Sequence, residues 1–80
     1  MTQPTAAQIR VLSAIRVWCE SHRYAPTNRD LMAVLGFNST NAVADHLKAL
    51  RKLQLVDWDR GVARGLWITA AGLEVLHEAI

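Results

Sequence analysis

Eighty residues, 51% of them hydrophobic, with a formal charge of +2, describe one small folding unit with enough apolar content to build a core. One cysteine, Cys19, excludes an internal disulfide framework and suits a reducing cytoplasm. No apolar run approaches the ~20 residues that span a bilayer, and the opening "MTQPTAAQIR" lacks the basic-then-apolar order of a secretory signal.

The first helix is expected to start at Thr5, which fits a capping box with Gln8. Ile9, Leu12, Ile15 and Cys19 then recur at helical spacing, with Val11 and Trp18 widening the stripe. Arg10, Arg16 and Glu20 take the other face, and Arg16 can pair with Glu20 one turn on. Tyr24-Ala25-Pro26 ends this element, because a residue before proline is pushed towards extended geometry. A very short strand at Tyr24 and Ala25 is one outcome. Thr27 caps a second helix, with Asp30 three residues on and Leu31, Val34 and Leu35 as its inward side. Gly36 stands where a left-handed C-terminal cap is expected, and Phe37 is placed under the turn. A third helix runs from about Ser39 to about Leu53. Val43, Leu47, Leu50 and Leu53 face inward, while Asn41, Ala44, Asp45, Lys48, Arg51 and Lys52 face outward.

After Leu53 the period shortens from 3.6 to two. "LVDWDRGVARGLWIT" reads as a hairpin: a strand near Leu55 to Asp59, a basic turn from Arg60 to Arg64, and a return strand near Leu66 to Ile68. Thr69 caps a last helix, Ala70 to Ile80, too short to be stable in isolation. It must pack through Leu73, Leu76 and Ile80.

The expected fold is therefore mainly α with a small β-hairpin: a winged helix-turn-helix of three helices, a wing and an extra C-terminal helix, in one domain over residues 1–80. In that plan the N-terminal end of the third helix enters the major groove of double-stranded DNA. "NSTNAVADH" supplies a tip of small polar residues before the first large side chain, which lets the backbone approach bases in a groove ~12 Å wide. Asn41 can make two hydrogen bonds to an adenine, at N6 and N7 of its major-groove edge, Ser39 can reach a base or phosphate, and Ala42 can touch a thymine methyl. The candidate contact set is Thr27, Asn28, Ser39, Thr40, Asn41, Ala42, Ala44, Asp45, Lys48, Arg51, Lys52, Arg60 and Arg64. Lys48 or Arg64 is the expected phosphate contact.

"TAAQIRVLSAIRVW", "YAPTNRDLMAVLGFNSTNAVADHLKALRKLQLV" and "GVARGLWI" resemble the N-terminal DNA-binding domain of the LexA repressor family, over roughly residues 5–68. The densest part is "APTNRDLMAVLGFNSTNAVADHLKAL". The resemblance implies a repressor that reads its operator through Ser39, Asn41 and Ala42, with Ala44 and Asp45 next outward. The family commonly has proline where Thr40 stands, and either residue fits that first helical position. It commonly has glutamate where Ala44 stands, which changes an outward side chain of the reading surface, so the family's operator is not expected to be bound unchanged. The family's self-cleaving C-terminal domain, which also supplies dimerisation, is not matched in these 80 residues. The Ala-Gly pair at 71 and 72 is like the family's cleavage site and is read here as helix-start sequence. The ending "WITAAGLEVL" is closer to winged-helix repressors of the MarR type.

Other classes fit less well. Ser39 and His46 stand two helical turns apart, ~11 Å, too far for a nucleophile and its base. Cys19 and His22 have i,i+3 spacing but lack two more ligands for a structural zinc, so a buried cysteine, a helix-end histidine and no metal or cofactor are expected. Trp18, Trp58 and Trp67 could stack on single-stranded bases, but core roles or pairing of Trp58 with Trp67 across the hairpin suit them better. The serious alternative is a winged helix that contacts protein and binds no specific DNA, given the low net charge and Asp45, Asp57 and Asp59 near the proposed surface. The last helix carries two readings. Leu73, Leu76 and Ile80 make a homodimer contact, which is preferred, or they fold back on the first helix and complete the monomer core.

Overall fold

The computed structural model describes residues 4–62 and 64–78. They form α1 (Ala6–Ser21), α2 (Asn28–Leu35), α3 (Thr40–Lys52), β1 (Val56–Trp58), β2 (Leu66–Ile68) and α4 (Ala70–Glu78). This is the expected mainly helical winged helix-turn-helix with one small antiparallel sheet.

Each helix begins at a hydroxyl side chain that closes its first turn. Thr5 Oγ1 accepts from the Gln8 amide at 3.1 Å, and the Thr5 amide donates to Gln8 Oε1 at 2.9 Å. Thr27 and Asp30 repeat that box at 3.1 and 3.0 Å. Ser39 Oγ accepts from the Ala42 amide at 3.3 Å, and Thr69 Oγ1 from the Gly72 amide at 3.0 Å. These bonds satisfy first-turn donors that have no partner inside their own helix. At the other end of α2, Gly36 takes φ +76°, and the amides of Gly36 and Phe37 both donate to the Met32 carbonyl. A side chain at Gly36 would be strained, so this residue fixes the sharp turn into α3.

The core sits where all elements meet. Val11, Leu12 and Ile15 of α1 pack with Leu31 and Leu35 of α2, and with Val43, Leu47 and Leu50 of α3. Leu55, Val56 and Leu76 close it from the wing and α4. Among the described residues no polar or charged side chain is buried.

Several expectations need correction. Cys19 is exposed, and Val34 is 56% exposed, so the inward stripes of α1 and α2 are narrower than their periodicity implied. Tyr24 and Ala25 form no strand. The hairpin register sets Trp58 opposite Leu66 and Trp67 opposite Asp57, so the two tryptophans fall on opposite faces and do not pair. In α4, Leu76 is buried in the monomer core and Leu73 is 45% exposed. The fold-back reading therefore accounts for Leu76, and Leu73 takes no part in the core. Ile80 lies outside the described residues.

α4 is docked by a close backbone approach. Thr69 Oγ1 donates to the Gln54 carbonyl at 2.7 Å, and the Thr69 amide donates to the Leu55 carbonyl at 3.1 Å. A Cβ on Gly72 would overlap the Leu55 carbonyl oxygen and Ile68 Cγ2. Gly72 is thus a packing residue that lets α4 lie on the α3–β1 turn. Gly72→Ala should destabilise the domain by roughly 1–3 kcal/mol, the usual range for overpacking. Thermal unfolding by circular dichroism should show a fall of at least ~4 °C. Glu74→Ala, on the exposed face, should leave the midpoint in place.

Candidate nucleic-acid interface

α3 is gripped on one side and bare on the other. Val43, Leu47 and Leu50 are buried, while Ser39, Thr40, Asn41, Asp45, Lys48, Arg51 and Lys52 are exposed and Ala42 and Ala44 half-buried. The tip of α3 carries no acidic residue in its first turn, whereas that of α2 carries Asp30. The positive end of the α3 dipole therefore meets the Ser39 hydroxyl but no charged side chain of its own first turn, and its tip residues are exposed.

A cleft lies between the start of α2, the outer face of α3 and the wing. Asn28 at the start of α2, Ala44 and Lys48 on α3, and Trp58, Val62 and Leu66 of the wing line it, with Pro26 and Leu47 at its floor. A second, shallower groove follows, lined by Lys48, Arg51, Lys52, Trp58 and Arg60. The fold thus brings Asn28, Ala44, Lys48, Arg51, Lys52 and Arg60 onto one continuous surface, with Ser39 to Ala42 at one end of α3. Thr27 is half-buried, and both its hydroxyl and its amide bond to Asp30.

Two of the arginines are engaged inside the protein. Arg51 Nε contacts Asp57 Oδ1 at 2.9 Å, and its guanidinium lies 4.3 Å from the centroid of the Trp58 ring. Arg64 Nη1 donates to the Ala25 carbonyl at 2.7 Å and to Asp30 Oδ2 at 3.1 Å. Asp57, counted in the sequence as a charge unfavourable to a polyanion, is thereby neutralised by Arg51. Tyr24 and Asp30, absent from the candidate set, prove to be neighbours of Arg64. No local spacing signals them, since Arg64 and Asp30 are 34 residues apart. Lys48, Lys52 and Arg60 have no ion-pair partner among the described residues.

Partial burial pushes the Cys19 thiol up, away from the reactive thiolate. His46 stacks on Phe37 at 5.3 Å, a packing contact under the turn. His22 ends α1 and stacks on Trp18 at 3.8 Å. Among the described residues no three His, Cys, Asp or Glu side chains gather as metal ligands, and no helix is long and apolar enough to cross a membrane.

Residues 1–65 match the family described as the LexA DNA binding domain. The chain belongs to the LexA DNA-binding domain family. Its similar proteins include the LexA repressor of Polaromonas naphthalenivorans, 36% identical over 75 residues, covering 94% of this chain and 32% of that protein. The LexA repressor of Limosilactobacillus fermentum is 40% identical over 72 residues, covering 90% of the chain and 35% of that protein. That of Marinobacter nauticus is 37% identical over 78 residues, covering 92% and 39%. The chain spans about a third of the length of these curated relatives. The LexA match includes the turn at Gly36, the whole of α3 and the wing up to Gly65.

The α2 cap has a pH signature. Hydrogen bonds from the Thr27 backbone and hydroxyl, then the Arg64 guanidinium, hold the Asp30 carboxyl below its ordinary value. A carboxylate lowered on folding stabilises above its unfolded pKa of ~3.9 and loses that contribution as pH falls through the lower folded value. Urea unfolding should therefore show the parent more stable than Asp30→Asn at pH 7, with the gap narrowing below about pH 4. A gap that widens in acid would contradict this assignment.

Proposed function

We propose that the chain is the DNA-reading part of a cytoplasmic transcription regulator, a repressor that acts by occupying double-stranded DNA. The observation that carries this reading is the exposed, acid-free tip of α3, with its inner face fixed in the core and unpaired cations along its flank. α3 lies in the major groove with Asn41 on a base edge, Ser39 on a base or phosphate, Ala42 against a thymine methyl, and Thr40, Ala44 and Asp45 alongside. Lys48, Lys52 and Arg60 meet phosphates along the basic groove. Thr27 and Asn28 approach the backbone from the start of α2. Arg51 supports the surface through Asp57 and Trp58. The names of the similar proteins, LexA repressors, support the regulatory class. Such a regulator needs no catalytic group, metal or cofactor.

Selection from a random duplex pool should yield one preferred sequence. Against it, Asn41→Ala should weaken binding by ~1–3 kcal/mol and flatten preference at one base pair, while Lys48→Ala should weaken all sequences alike and lower the salt slope by ~1. Binding that is indifferent to both substitutions, or that shows no dependence on salt, would favour a protein-contacting module instead.

Reading two half-sites ~34 Å apart calls for a two-fold pair of chains. With Leu76 buried in the monomer, a contact that the described part of α4 can offer is the exposed Leu73, beside Trp67, which is 43% exposed and lines the same groove between α1, β2 and α4. Light scattering should give about twice the 8.9 kDa chain mass at high concentration, and a single-chain mass for Leu73→Asp. A single-chain mass for the parent overturns the pairing and leaves the DNA reading to stand on the binding data.

A further inference from the structure

The wing is tied to the start of α2 by one side chain. Arg64 Nη1 bonds the Ala25 carbonyl and the Asp30 carboxylate, and the guanidinium carbon lies 4.2 Å from the centroid of the Tyr24 ring. Each partner is itself held. Asp30 Oδ2 also accepts from the Thr27 amide at 3.0 Å, as part of the α2 cap. Tyr24 packs edge-on to Trp18 at 6.2 Å, and Trp18 Nε1 donates to the Tyr24 carbonyl at 3.1 Å. The planar guanidinium is thus fixed by a carbonyl, a carboxylate and a ring face at once, a geometry that a lysine cannot reproduce. One of its faces is covered by tyrosine, and the donor Nη1 serves two acceptors. Lys48, Lys52 and Arg60 differ, since no carboxylate holds them among the described residues.

We propose that Arg64 is a positioning residue, which latches the wing onto the start of α2 and so sets the wing's place relative to the tip of α3, and that it does not neutralise a phosphate. This rests on the DNA-binding reading above. A wing ordered before binding avoids the loss of loop freedom that binding would otherwise impose. Asp30 becomes a determinant of DNA affinity although it is an anion that touches no DNA.

The test uses Arg64→Gln, Asp30→Asn and the double variant, with folding checked by circular dichroism. Affinity for the selected duplex is measured by fluorescence anisotropy across a salt series. Either single variant should lose about tenfold in affinity, within the usual range for coupled sites. The salt slope should equal the parent's, and the double variant should bind no worse than the weaker single. A slope lower by ~0.9 for Arg64→Gln, with parental binding by Asp30→Asn, would make Arg64 a phosphate contact and overturn the proposal. If the parent binds no duplex at any salt, the DNA reading fails by itself, and the latch is judged without DNA. The amides of Asp59, Val62 and Gly65, each donating within the wing turn at 3.2 Å, should then exchange hydrogen several-fold faster in both single variants. Parental exchange rates in both would overturn it.

Discussion

Burial of one face of α3 is the constraint on which the rest of the structure depends. A helix of 13 residues is marginal alone in water, and this one has to leave its outward face bare. It is held by Val43, Leu47 and Leu50, which are gripped by α1 and α2 on one side and by Leu55 and Val56 on the other. Leu76 of α4 closes the same cluster, brought in because Gly72 allows the α4 backbone down onto the α3–β1 turn. The other elements can be understood as the cover that α3 needs on its inner side.

Electrostatics then sorts the surface that is left. Opposite charges at the interface are not scattered evenly. Asp57 is drawn back by Arg51, and Asp30 by the α2 cap and Arg64. These pairs are partly exposed, and pairs of that kind add little to stability. Their effect is geometric: they fix two points of the wing against α2 and α3, and they mask carboxylates that would repel a polyanion. A net charge of +2 understates the local field, because three cations without an ion-pair partner among the described residues, Lys48, Lys52 and Arg60, line one groove.

Much of this was legible in the residues. The Thr5 capping box, the Thr27 cap, the left-handed Gly36, the approximate limits of α3 and the position of the hairpin follow from local rules, since each depends on near neighbours in the chain. What local rules could not supply was the edge of the core. α1 continues to Ser21, past the last residue the core covers, so Cys19 keeps helical spacing and yet stays exposed. Val34 likewise lies on the flank of α2, beside Leu35, where α1 leaves a groove open. The tryptophan pairing failed by one residue of register, and a single step in a strand reverses every face. On the candidate surface, the small polar tip and the cations of α3 were readable from their spacing. The links from Arg64 to Asp30 and Tyr24 were not, because only the closed wing brings residues so distant in sequence together.

The interior contains no buried polar side chain among the described residues, and that has a consequence for redesign. Apolar contacts lack direction, so an interior of Leu, Ile and Val can be rewritten with volume-matched substitutes at modest loss. Direction in this molecule comes from its periphery: the hydroxyls that start helices, the glycine that turns α2 into α3, and Thr69 bridging two segments. A redesigned version could exchange much of the oil inside while keeping its shape, provided that these few punctuation marks along the chain were left as they stand.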